Sequence, residues 1–203
     1  MKRILRLVLV ACILFTLCAP ALAAHEGEAR AVIGADLADS QILTVYEQFG
    51  VIRGSVTELQ VTNAEERDYL EGLVSESVIG TRSISCVYIK MMEDGEGLSV
   101  ITSNISWCTE DMYRSALMTA GIDDAVVKVG APFSVSGTAA LTGIYKAYED
   151  ITGVTLTEEA KEVAADELIT TAELAEEIDD EAAVAIVNEL KLMLDEIGTM
   201  SDE

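Results

Sequence analysis

Histidine is almost missing from this chain. The only one, His25, stands in the polar stretch His25-Glu26-Gly27-Glu28. Without a second imidazole there is no Ser-His-Asp or Cys-His constellation and no zinc site of the usual imidazole type. An enzyme built from these residues would have to work with carboxylates, a Ser-Lys pair or a bare thiol. Basic side chains are also few, 13 Lys and Arg against 36 Asp and Glu, giving a net charge of -23. Such a field repels polyanions, and the scattered Lys and Arg form no patch, which excludes nucleic acid as a partner. Anionic membrane surfaces are disfavoured for the same reason. Aromatic residues make up 5% of the chain, with Trp107 the single tryptophan, too little for a sugar-stacking cleft. Beyond the first two dozen residues no apolar run approaches the roughly 20 residues of a membrane-spanning helix.

What is present begins with a leader. Lys2, Arg3 and Arg6 precede an apolar run from Leu7 to Leu17, followed by Ala19-Pro20-Ala21-Leu22-Ala23. A positive start, a short apolar core and an Ala-x-Ala end are the parts of a secretory signal peptide, expected to cover residues 1–23 with cleavage after Ala23. An uncleaved signal anchor is the alternative. A lipoprotein signal fits less well, because Leu17 precedes Cys18 where a small residue is needed. Cleavage removes three positive charges and no acid, taking the net charge from -23 to -26 over the remaining 180 residues. The expected product is a soluble, secreted or cell-envelope protein with no integral membrane segment.

Of four cysteines, Cys12 and Cys18 leave with the leader, so Cys86 and Cys108 are candidates for one disulfide in an oxidising compartment. Closing a loop of about 22 residues would contribute about 3.4 kcal/mol. A simple hairpin turning at Glu93 to Gly97 would instead leave the two about 13 Å apart along the strand, beyond the roughly 7 Å a bridge allows. Two separately buried thiols are the alternative.

Hydrophobic periodicity organises the rest. Asp36 to Gly50 reads as a helix with Leu43, Tyr46 and Phe49 on one face. Ser55 to Thr62 alternates as a strand, and Asn63-Ala-Glu-Glu66 opens a helix carrying Tyr69, Leu70, Leu73 and Val74 towards Gly80. Arg82 to Met92 and Leu98 to Trp107 flank the turn Glu93-Asp94-Gly95-Glu96-Gly97 as two strands, with Val87, Ile89 and Met91 expected on the same face as Ile101, Ile105 and Trp107. A helix capped at Thr109 and a short strand from Ala125 to Val129 follow. Helices are then expected over 136–152, after Thr157, and over 181–197. The fold class is thus α+β: a ferredoxin-like βαββαβ two-layer sandwich followed by a helical C-terminal region. The expected divisions are the leader at 1–23, an N-terminal segment with one helix at 24–54, the ferredoxin-like domain at 55–131 and the helical region at 132–203.

Gly34-Ala-Asp-Leu37, Ser83-Ile-Ser85, Val135-Ser-Gly-Thr-Ala-Ala-Leu-Thr-Gly143 and the following Ile-Tyr-Lys-Ala-Tyr148 resemble the YpuA-like family of extracytoplasmic proteins from Gram-positive bacteria, domain of unknown function 1002. The resemblance covers nearly all of the chain after the leader. It implies secretion and an envelope setting, and it carries over no catalytic residues.

Two segments are candidate sites. Ser134, Ser136, Gly137 and Thr138 join the last strand to a helix, where backbone N–H groups and hydroxyls can meet an anion or carboxylate. No P-loop lysine and no Gly-x-Ser-x-Gly elbow accompany them, and a helix cap with small packing residues is the competing explanation. Glu93, Asp94 and Glu96 offer hard oxygen ligands to calcium, without the spacing of an EF-hand, and are otherwise an ordinary acidic turn. Ser136 and Lys146 lie ten residues apart on one segment, a poor arrangement for a Ser-Lys dyad.

The expected function is a non-catalytic binding or interaction module whose partner is an envelope protein or a cell-wall component. The alternatives are a carboxylate-dependent cell-wall hydrolase, which requires a clefted acid of raised pKa, and a calcium-stabilised surface protein.

Overall fold

Five apolar segments pair into one mixed sheet in the computed structural model, which describes residues 25–70 and 75–201. The expected leader at 1–23, and Leu73 and Val74 of the expected second helix, lie outside the described residues. The strands are β1 (Ala29–Gly34), β2 (Thr57–Val61), β3 (Cys86–Met91), β4 (Leu98–Ile105) and β5 (Ala125–Val135), in spatial order β2-β1-β3-β5-β4. The helices are α1 (Asp39–Phe49), α2 (Asn63–Leu70), α3 (Glu76–Ile79), α4 (Glu110–Thr119), α5 (Thr138–Thr152), α6 (Glu158–Glu177) and α7 (Asp180–Ser201). Thr109 caps α4 by accepting from the Met112 N–H, and Thr157 caps α6 by accepting from the Ala160 N–H. Among the described residues no helix is long and apolar enough to cross a membrane.

The α+β class holds, but the ferredoxin-like order does not. β3 and β4 are not a hairpin, because β5 lies between them, antiparallel to β3 and parallel to β4. The segment β4-α4-β5 is therefore an ordinary crossover unit, and β1-α1-β2 is another. In the interior, β5 pairs on both sides as far as Gly130, whereas a β3–β4 hairpin would leave it a partner on one side only. The segment before residue 55, expected to carry one helix, also supplies β1, which pairs with β2 and β3. Ala31, Val32 and Ile33 are fully buried because helices cover both faces of this strand, and such strands show a continuous apolar run in place of alternation.

The sheet thus has two cores and three layers. On one face Val32, Val87, Ile89, Val100, Val127 and Val129 pack under α4, α5 and α6. On the other, Ala31, Ile33 and Cys86 pack under Ile42, Val45, Tyr46 and Phe49 of α1. Burying each large side chain of α1 contributes about 1.5–3 kcal/mol. Parallel pairing with β5 sends Val100 inward and leaves Ile101 47% exposed, the reverse of the hairpin expectation. The register then shifts at Asn104, whose φ is 60°, and this bulge returns Ile105 and Trp107 to the core.

Candidate functional site

Strands β3 and β5 separate beyond one point. Their register ends at Cys86 opposite Gly130, while β5 runs on to Val135, held on its other side by Ile105 of β4. The chain before β3 is drawn towards β1 instead. Ser83 N–H donates to Asp36 Oδ2 at 2.8 Å, Asp36 N–H donates to the Ser83 carbonyl at 3.3 Å, and Arg82 Nη2 donates to the Asp36 carbonyl at 2.9 Å. Gly34 permits this approach, since a Cβ there would sit 2.4 Å from the Ser83 carbonyl oxygen. The fork leaves a cleft of about 290 Å³, lined by Val78, Ile79, Arg82, Ser85, Phe133 and Val135 with Glu66, Ser136 and Thr138 below.

Glu66 is the chemical centre of that cleft. It is 1% exposed. Its Oε1 accepts the Thr138 hydroxyl at 2.6 Å and its Oε2 accepts Asn63 Nδ2 at 3.3 Å. Burial pushes its pKa above the ordinary carboxylate value, against the opposing pull of these two bonds and of the Arg67 charge. Ser136 Oγ donates to the Val78 carbonyl at 3.0 Å and lies 3.3 Å from Thr138 Oγ1. Behind them Tyr113 OH donates to the Gly137 carbonyl at 2.6 Å. Gly137 sits at φ +103°, and a Cβ there would meet Tyr113 OH at 2.5 Å, so glycine is required on both counts.

Of the four candidate ligand residues, Ser136 and Thr138 line the cleft, Gly137 turns the chain beneath it, and Ser134 is exposed on the strand outside it. The start of α5, read as an anion site, already receives the Glu66 carboxylate from within the chain. Glu66 was legible only as part of a capping pattern, because its meeting with Thr138 joins positions 72 residues apart.

Glu93, Asp94 and Glu96 are exposed and not gathered as ligands, and among the described residues no group of three or more His, Cys, Asp or Glu is placed to hold a metal ion. Their turn is organised by a different carboxylate: Asp124 Oδ1 accepts the N–H groups of Gly95 at 3.0 Å and Gly97 at 2.6 Å. Those bonds lower the Asp124 pKa. The turn's donors converge inward on an acid, the opposite of an array of oxygens around a cation.

Cys86 and Cys108 are free, buried thiols in the structure, the arrangement of the second of the two alternatives. Cys86 belongs to the core under α1 and Cys108 to the core on the other face, so the sheet separates them. Burial pushes both thiols up to about 12, which makes them poor nucleophiles.

Lys146 is directed to the Gln60 carbonyl at 2.6 Å and to Glu65 at 2.5 Å. A different Ser-Lys pair exists, joined across 76 residues: Lys191 Nζ lies 3.1 Å from Ser115 Oγ. Lys191 also donates to Thr119 at 2.8 Å and Glu167 at 3.0 Å, and both hydroxyls reach Glu167 at 2.5 Å. Ser115 sits inside α4, where neighbouring N–H groups are engaged in the helix ladder and cannot form an oxyanion hole. The cluster is a polar latch joining α4, α6 and α7. Its sequence signal was polar residues at helical spacing, Ser115 with Thr119 and Asn188 with Lys191.

The family described as "Protein of unknown function (DUF1002)" matches residues 33–203. Over 168 residues the chain is 45% identical to "Uncharacterized protein YpuA" of Bacillus subtilis (strain 168), an alignment covering 83% of this chain and 58% of that protein. The chain therefore spans less than two thirds of the length of this relative. No solved structure matches.

Proposed function

The chain belongs to the DUF1002 family, and from that premise we propose a non-catalytic binding module of the cell-envelope space that engages its partner in the fork between β3 and β5. The observation that carries this reading is the cleft itself, a concave site of about 290 Å³ with a buried acid and two hydroxyls at its base and an aromatic, Phe133, on its rim. Apolar walls with a few convergent polar groups are the usual composition of a ligand site. The cationic apolar leader supports export, after which the partner is an envelope protein or cell-wall component. The net charge of -23 argues against nucleic acid.

The test compares binding of the whole chain and two variants, Phe133→Asp and Glu66→Gln, to purified bacterial envelope fractions. Retention of the wild type and loss of it in both variants is the expected result. Equal retention of all three places binding elsewhere and defeats the reading.

One observation favours a hydrolase as the second reading: Glu66 is a clefted acid whose pKa is raised, as a general acid requires. Glycoside hydrolysis needs a partner carboxylate roughly 5–9.5 Å away, and among the described residues lining the cleft Glu66 is the one acid. Hydrolysis of wall polymers by the pure chain, abolished by Glu66→Gln, would establish this second reading over the first.

A further inference from the structure

We propose that the fork takes an extended peptide, which adds as a short strand beside Pro132–Val135 of β5 and places a lysyl side chain over Glu66. This rests on the binding reading above and names the ligand class.

The strand geometry supplies the first part. Val135 O accepts Ser106 N–H at 2.9 Å and Ala131 O accepts Asn104 Nδ2 at 2.8 Å, so the odd-numbered positions at this end of β5 turn their backbone groups towards β4. Alternation turns the Pro132 carbonyl and both backbone groups of Ser134 the other way, to the side that β3 vacates after Gly130. An open strand edge of this kind is completed by main-chain bonds from an added strand, whose alternate side chains then select the ligand.

The cleft supplies the second part. A strand added there projects every other side chain to the face on which Phe133 and Val135 line the cavity. Val78, Ile79 and Phe133 give the walls apolar surface suited to a methylene stem, with Arg82 and Ser85 as their polar members. At the base, Glu66 is a buried carboxylate whose hydrogen-bond partners, a hydroxyl and an amide, are neutral; the cations nearby are Arg67, the next residue of α2, whose charge offsets part of the burial, and Arg82 on the cleft wall, which is directed to the Asp36 carbonyl. An ammonium has three donors and no acceptor, and Glu66 with the Ser136 hydroxyl beside it provides the matching oxygens. Pairing returns the interaction that burial removes from the carboxylate, so the ligand binds to ionised Glu66 and its affinity rises with pH.

The experiment titrates the whole chain with three capped hexapeptides, Ac-Thr-Val-Lys-Val-Thr-Val-NH2, its norleucine analogue at the lysine, and the lysine peptide with alternate backbone N-methylation, together with the single capped residue N-acetyl-lysine methylamide. The lysine peptide is expected to bind at least about tenfold more tightly than the norleucine and N-methylated peptides and than the capped residue, with the first difference lost in Glu66→Gln. Equal affinity of the lysine and norleucine peptides overturns the ammonium site. Equal affinity of the N-methylated and parent peptides overturns strand addition. If capped lysine binds as tightly as the peptide, the peptide inference falls while the binding reading stands; if no peptide and no capped residue binds but envelope fractions are still retained through Phe133 and Glu66, only the inferred ligand class is wrong. The N-methylated arm alters the ligand alone and holds even if a cleft variant misfolds.

Discussion

Thr138 donates its hydroxyl to the Glu66 carboxylate at 2.6 Å, fastening the first turn of α5 to α2 beneath the cleft. The carboxylate is buried and its pKa is raised, so the folded chain holds this proton more tightly than the unfolded chain does. Stability from this group is therefore greatest below the ordinary carboxylate value and declines as pH rises through the raised one. Glu66→Gln removes the dependence. Its melting temperature relative to wild type should climb as pH rises from the ordinary carboxylate value through the raised one. A difference that stays flat across that window contradicts the assignment.

Gly34 shapes the other side of the fork. A methyl group at this position would lie 2.4 Å from the Ser83 carbonyl oxygen, 2.7 Å from its carbon and 2.9 Å from Ile84 N, all backbone atoms that a rotamer change cannot move. Gly34→Ala should destabilise the chain by about 1–3 kcal/mol in denaturant titration. A change below a few tenths would mean that the segment before β3 is not held against β1.

The two thiols make a chemical prediction. Cys86 and Cys108 are 0% and 1% exposed and lie in different cores. Neither should be alkylated by iodoacetamide in the folded chain, both should react once it is unfolded, and reductant should leave the melting temperature unchanged. A peptide map showing the two residues linked would refute this.

The latch of Ser115, Thr119, Glu167 and Lys191 is structural on its geometry. Lys191→Met leaves Glu167, whose side chain is 10% exposed, without its cation, and should cost about 1–2 kcal/mol because Lys191 itself is partly solvated. Adding Glu167→Gln should restore most of the loss. If the double variant is no better than the single one, the ion pair is not what holds α7.

Local signals in the sequence resolved most elements but not their assembly. Periodicity located α1, α4, α5, α6 and α7, and the caps at Thr109 and Thr157 carry their own chemistry within four residues. β1 escaped because a strand buried on both faces shows no alternation. The β-branched runs around Glu93–Gly97 record which segments are strands and not which are neighbours; that choice is made by Ala125–Val135, whose start is tied to the turn through Asp124. At the cleft, the chemistry of Ser136 and Thr138 was visible in the order of residues. The acid they meet was not, since nothing local links Glu66 to position 138.

The most direct measurement of the central claim is the amide spectrum of the isotope-labelled chain as N-acetyl-lysine methylamide is added. The fork site predicts shifts confined to Glu66, Val78–Ser85 and Phe133–Thr138, abolished in Glu66→Gln. Shifts spread over the acidic surface, or unchanged in that variant, would contradict it.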